Sequence, residues 1–137
     1  MLNNIQKNII KYIILAQIAS DGGKGIKTLQ TFKKAKEAFL KGYAVKDKYI
    51  LTAIKIIDST PRCGINYFVK EASDQNGYAS LIIYFDLKIN EKRYQISFHS
   101  PKNRTLLNQN KNKGRKTRWT GEVSGSRNAC IELANLV

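Results

Sequence analysis

His99 is the only histidine of the chain, and an imidazole is the usual side chain for moving a proton near neutral pH. If 93–100 forms a strand, His99 shares one face with Ser97 and Gln95, and Asp86 of the preceding strand joins them. A base, a nucleophile and an orienting carboxylate would then lie on one surface. The spacing argues against that chemistry. Asp86 falls opposite Gln95, several residues from His99, and strand alternation makes this face polar in any case. Metal-assisted hydrolysis needs two or three clustered carboxylates. The ten acidic residues are scattered, with no D-x-D, E-x-K or H-x-x-x-H spacing. A nuclease would require Glu71, Asp74 and Asp86 to converge on the sheet. Cys63 and Cys130 have no CxxC spacing, and with one histidine the usual Cys/His zinc site is excluded. They read as buried, reduced thiols. Gly22-Gly23-Lys24-Gly25 lacks the P-loop spacing, the hydroxyl after the lysine and the preceding strand, and reads as a turn between helices. No enzymatic activity, metal or cofactor is expected.

The residues that do cluster are cationic. Between 101 and 118 stand Lys102, Arg104, Lys111, Lys113, Arg115, Lys116 and Arg118, without one acidic residue. Lysine and arginine neutralise phosphates and release counterions, while arginine and tryptophan planes stack on unpaired bases. Trp119 closes the stretch, and interleaved Asn and Gln can hydrogen-bond sugars or bases. A second basic stripe comes from Lys27, Lys34 and Lys41, which repeat every seven residues and so stay on one side of a helix. Lys33 and Lys36 lie nearby, relieved only by Glu37.

These two clusters account for much of a large excess. The chain has 137 residues, with 24 Lys and Arg against 10 Asp and Glu, for a formal charge of +14. That length suits one compact domain. Apolar residues make up 42% of the chain, enough for a core, while 2 Pro and 9 Gly exclude fibrous and low-complexity architectures. A net charge of this size costs self-repulsion and points to a polyanionic partner. The apolar run 9–16 superficially resembles a signal peptide. It is interrupted by Lys11, it lacks a small-x-small cleavage site, and it is far shorter than the roughly 20 residues of a membrane span. A cytoplasmic protein without membrane contact is expected. Abundant Ile, Lys and Asn suggest an AT-rich bacterial or phage genome.

The elements that must position these residues follow from periodicity. A helix is predicted over 3–19, with Ile5, Ile9, Ala16 and either Ile13 or Tyr12 on one side, ended by Ser20-Asp21-Gly22-Gly23. A second covers about 28–42, with Leu29, Phe32, Phe39, Leu40 and Tyr43 at helical spacing and Gly42 as its stop. Asp47 is expected to cap a third, in which Ile50, Ala53, Ile54 and Ile57 recur. After Asp58-Ser59-Thr60-Pro61 the period falls to two. Residues 65–72 alternate loosely, Asp74-Gln75-Asn76-Gly77 is a hairpin signal, and 79–89 places Leu81, Ile83, Phe85, Leu87 and Ile89 on one face. A tight turn at Asn90-Glu91 returns the chain along 93–100. It pairs Leu87 with Tyr94, Phe85 with Ile96 and Ile83 with Phe98. Ser126 is read as the N-cap of a last helix, 126–137, buried through Ala129, Cys130, Leu133, Ala134 and Val137.

The segment from about 48 to 137 resembles a double-stranded RNA-binding domain in its α-β-β-β-α order. The tail Gly125-Ser126-Arg127-Asn128-Ala129-Cys130-Ile131-Glu132-Leu133-Ala134 looks like that family's closing motif, a Gly/Ser turn leading into a helix with an alanine-rich buried face. The resemblance implies that Arg127 and the helix N-terminus meet phosphate. Asn128 and Cys130 stand where the family favours lysines, and the insertion 101–118 is foreign to it. In overall style the chain also resembles small phage or prophage accessory proteins, a class that includes anti-CRISPR inhibitors.

The expected molecule is a single α+β domain. Residues 1–58 form its helical part and 64–100 a three-stranded antiparallel sheet, one face of which packs against helices. The expected function is non-enzymatic binding of RNA or DNA, or of a nucleoprotein effector complex, as in a phage-encoded inhibitor of a CRISPR-type defence. The binding residues are those of 101–118 with Trp119, Arg127, Lys27, Lys34 and Lys41. A rival reading gives the apolar N-terminal helix the role of a homodimer or partner face.

Overall fold

The computed structural model describes residues 2–21, 43–73, 79–99 and 126–137. Within them the order is α1 (Asn4–Asp21), α2 (Tyr43–Ser59), β1 (Ile65–Ser73), β2 (Ala79–Ile89), β3 (Lys92–His99) and α3 (Ser126–Ala134). The three strands form one antiparallel sheet with β2 in the centre. Helices and sheet share a single hydrophobic core, which makes the domain α+β. The helix predicted over 28–42, the turn at 74–77 and the basic stretch 101–118 lie outside the described residues.

A reciprocal cap starts α1. The Asn3 side chain accepts from the Gln6 backbone N–H at 2.8 Å, and the Gln6 side chain accepts from the Asn3 N–H at 3.0 Å. Two orphan donors of the first turn are thereby satisfied. Gln6 also donates through Nε2 to the Cys63 carbonyl at 2.9 Å, tying this end of α1 to the connection between α2 and β1. The expected one-sided stripe on α1 is wider in the structure. Every residue from Ile13 to Ala19 is buried, so the middle of α1 is apolar nearly all round, as befits a helix enclosed by its neighbours.

In α2 one expectation is corrected. Asp47 does not cap the helix but lies a turn inside it, buried at 5% exposure. The cause is visible in the pattern: Val45 and Tyr49 extend the buried face of Ile50, Ala53 and Ile54 upstream, so the helix gains a turn. At its other end the Ser59 hydroxyl donates back to the Lys55 carbonyl, and Pro61 cannot continue the ladder. Arg62 and Gly64, both with positive φ, then turn the chain into β1. A Cβ on Gly64 would approach Gln6 Nε2 to 3.0 Å, so this glycine serves both the backbone turn and the close approach of α1.

The β2–β3 hairpin has the expected register: Leu87 pairs with Tyr94, Phe85 with Ile96 and Ile83 with Phe98. Its loop, Asn90 (φ 51°) and Glu91 (φ 66°), has both residues in the left-handed region. That is the type I′ geometry, whose twist suits a two-residue hairpin. The β1–β2 pairing runs from Ile65↔Leu87 to Ser73↔Ala79. Strand β3 begins at Lys92 and α3 ends at Ala134, short of Val137. Ala129, Cys130, Leu133 and Ala134 are buried as predicted, whereas Val137 is half-buried beyond the helix end. Cys63 and Cys130 are both buried and no disulfide joins them. Among the described residues no helix is long and apolar enough to cross a membrane.

Candidate nucleic-acid interface

Strand alternation divides the sheet into two faces. Ile65, Tyr67, Val69, Ile83, Phe85, Leu87, Ile89, Tyr94, Ile96 and Phe98 are buried toward the helices. The other face is laid out in rows by the strand register. Asn66, Asp86 and Gln95 form one row, Phe68, Tyr84 and Ser97 the next, and Lys70, Ile82 and His99 a third. Lys88 and Arg93 pair at the hairpin end. Asn66, Lys70, Lys88 and His99 are exposed, while Phe68, Ile82, Tyr84, Arg93, Gln95 and Ser97 are half-buried.

Phe68 and Tyr84 are stacked, with ring centroids 4.6 Å apart and planes within 10°. The pair went unpredicted, although a signal for it exists. Aromatic residues stand at the polar parity of two strands, and only the β1–β2 register shows that they are neighbours. Asp86 shares their face but is buried at 5% exposure, so the face has no accessible carboxylate among its described side chains.

The same imbalance holds more widely. The acidic side chains described at the surface are Asp58, Glu91 and Glu132, and each is already engaged. Asp58 accepts from the Tyr67 hydroxyl at 2.8 and 3.0 Å. Glu91 lies 3.8 Å from Lys88. Glu132 accepts from Lys92 at 2.9 Å and from the Tyr94 hydroxyl at 3.1 Å. Burial, reinforced by Asp58, pushes the Tyr67 phenol well above its ordinary range. The hydrogen bond from Lys92 holds the Glu132 carboxyl below its usual range. Lys7, Lys48, Lys55, Arg62, Lys70 and Arg93 form no ion pair among the described residues. Lys7 and Lys11, with Ile5 and Ile56, also line a shallow groove of about 530 Å³ between α1 and α2.

Of the residues predicted to bind, Lys102, Arg104, Lys111, Lys113, Arg115, Lys116, Arg118 and Trp119 lie outside the described residues. So do Lys27, Lys34 and Lys41, and so does the Gly22–Gly25 turn. Arg127 falls in the first turn of α3. In sequence, the basic stretch lies between the His99 end of β3 and the start of α3 at Ser126. That end of β3 is anchored by Lys46, a buried side chain of α2 whose Nζ donates to the His99 carbonyl.

The catalytic arrangement is not brought together. Asp86 pairs with Gln95 and His99 with Ile82. Four residues of β2 therefore separate them, about 13 Å at strand rise, too far for a carboxylate to orient the imidazole. Glu71 pairs with Leu81, five positions from Asp86 along β2, and Asp74 lies outside the described residues. Among the described residues no three His, Cys, Asp or Glu side chains are grouped as metal ligands would be.

No family model, curated protein or solved structure matches this chain.

Proposed function

We propose that this protein is a non-enzymatic, cytoplasmic nucleic-acid-binding protein whose ligand is RNA or DNA, free or within a nucleoprotein complex. The observation that carries the reading is the asymmetry of its surface. Described surface carboxylates are each held by a tyrosine or lysine, while six or more cations have no ion-pair partner among the described residues. Added to these are the seven basic residues of 101–118. Such an uncompensated surface is stable in the presence of a polyanion and self-repelling without one. In biological role, the small size, the charge and the AT-rich composition support a phage or mobile-element accessory protein. It would compete for guide RNA or target DNA and so block a CRISPR-type defence.

The rival reading, an apolar partner face on α1, finds less support. Ile9, Ile10, Ile13, Ile14 and Ile18 are fully enclosed in the core, and Ile5 is the one large apolar side chain of α1 described as exposed.

Binding to labelled RNA and DNA across a salt series tests the proposal. Log affinity should fall linearly with log salt, by about 0.7 per phosphate contact on a single strand or about 0.9 on a duplex. Replacing Lys113, Arg115 and Lys116 by Gln should flatten the line. No binding at low salt, or affinity indifferent to salt, would overturn the reading. A pull-down from host extract with and without nuclease then separates a nucleic-acid ligand from a nucleoprotein one.

A further inference from the structure

The stacked Phe68–Tyr84 pair is not explained by charge. We propose that it is a base-stacking platform, and that the ligand of the nucleic-acid reading above, on which this inference rests, is single-stranded.

Both rings stand on the face of the sheet turned away from the shared core. Their parallel stack occupies one face of each ring. Phe68 belongs to β1, an edge strand of the sheet. Tyr84 sits on the central strand opposite Ser97, whose short side chain sets no ring against it. The Tyr84 hydroxyl makes no hydrogen bond among the described residues. By contrast, the inward-facing Tyr67 and Tyr94 each donate to a carboxylate. A cross-strand aromatic pair adds little to the stability of a sheet, so two large rings left only half-buried on this face are a modest structural device that still offers a stacking surface.

The surroundings select the occupant. Lys70 and His99 lie in the neighbouring row, and Lys88 and Arg93 lie toward the hairpin end. Asp86, the one acid on this face among the described side chains, is buried. Rings flanked by cations, with no accessible carboxylate between them, suit an aromatic ligand strung on phosphates. In a duplex the faces of the bases are consumed by their own stacking. A single strand presents them, and stacking on a protein ring is tolerant of sequence because every base has a π-face.

The test compares a short fluorescein-labelled oligothymidylate with a duplex of the same length by anisotropy. The single strand should bind about tenfold more tightly. Phe68→Leu and Tyr84→Leu should each weaken it by about tenfold, leaving the salt slope and duplex binding unchanged, while Tyr84→Phe keeps the ring and the affinity. Equal affinity for strand and duplex, or Leu variants that bind as wild type, would overturn this inference but leave the nucleic-acid reading standing. Failure of both probes at low salt overturns both. Should the Leu variants fail to fold, photocrosslinking of a bromouracil-substituted strand to the wild-type protein decides. Adducts on the peptides carrying Phe68 or Tyr84 support the platform, and adducts confined to other peptides reject it.

Discussion

Tyr84 and Phe85 are neighbours in β2 that face opposite sides of one sheet. Phe85 is fully buried, edge-on to Phe98 and tilted against Tyr67. Tyr84 is half-buried in a parallel stack with Phe68. The inner face places large rings where burial stabilises the fold. The outer face places them where burial is incomplete and basic side chains gather. Aromatic residues in this sheet thus fall into two groups, told apart by parity and by what the polar ends of the rings reach. Tyr67 and Tyr94, on the two edge strands, each insert a ring in the core and extend a hydroxyl to a helix carboxylate, Asp58 of α2 and Glu132 of α3. Each edge strand is thus fastened to a helix.

Truncating each neighbour separates the two faces energetically. Phe85→Ala should cost about 3–5 kcal/mol of stability, because it leaves a cavity in a core that cannot fully collapse. Tyr84→Ala should cost about 1 kcal/mol, the value of a cross-strand pair. Urea unfolding measures both, and similar losses for the two variants would show that the outer stack is as structural as the core.

The inner face was legible in the sequence because it depends on a period of two. Leu87, Phe85 and Ile83 meet Tyr94, Ile96 and Phe98 in the register that the Asn90-Glu91 turn implies. Local chemistry could be read there because turn and pattern agree. The outer stack could not be read from one strand. Phe68 merely loosens the alternation of β1, and its meaning depends on Tyr84 arriving opposite it in the β1–β2 register. The misplaced start of α2 has a different cause. Asp47 carries the chemistry of a cap, yet Val45 and Tyr49 extend the apolar face past it, and tertiary burial prevailed over local preference. The basic residues of 101–118 were legible as charge.

The fastenings of the inner tyrosines come next in size. Tyr67→Phe removes a hydrogen bond to a charged acceptor, and because Asp58 is exposed, water can replace part of it. A loss of about 1–2 kcal/mol is expected. The phenol is raised in the folded state by burial first and by Asp58 second. Below the ordinary tyrosine value of about 10 its contribution is complete. It is lost as pH climbs, because the unfolded chain ionises first. Stability of the wild type should therefore fall in the alkaline range more steeply than that of Tyr67→Phe, as followed by thermal melts across pH. Parallel profiles would detach Tyr67 from the alkaline limb.

The smallest effect is expected at the opposite edge, where Glu132 joins Lys92 and the Tyr94 hydroxyl. Both ion-pair partners are near half-exposed, with side chains 47% and 41% accessible, so solvent and salt screen the attraction. The hydrogen bond from Lys92 depresses the Glu132 carboxyl below its usual range. Its contribution is present above that range and is lost as pH falls through it into the acid, where the folded state too takes up the proton. Glu132→Gln keeps an acceptor for the Tyr94 hydroxyl but removes the charge. The acid side of its stability profile should be slightly flatter than that of the wild type, and the gap between them should close at high salt. If the gap survives high salt, the Lys92–Glu132 attraction is not what fastens α3 to β3. The Tyr94 hydroxyl would then hold that edge largely alone, matching the way Tyr67 holds the other.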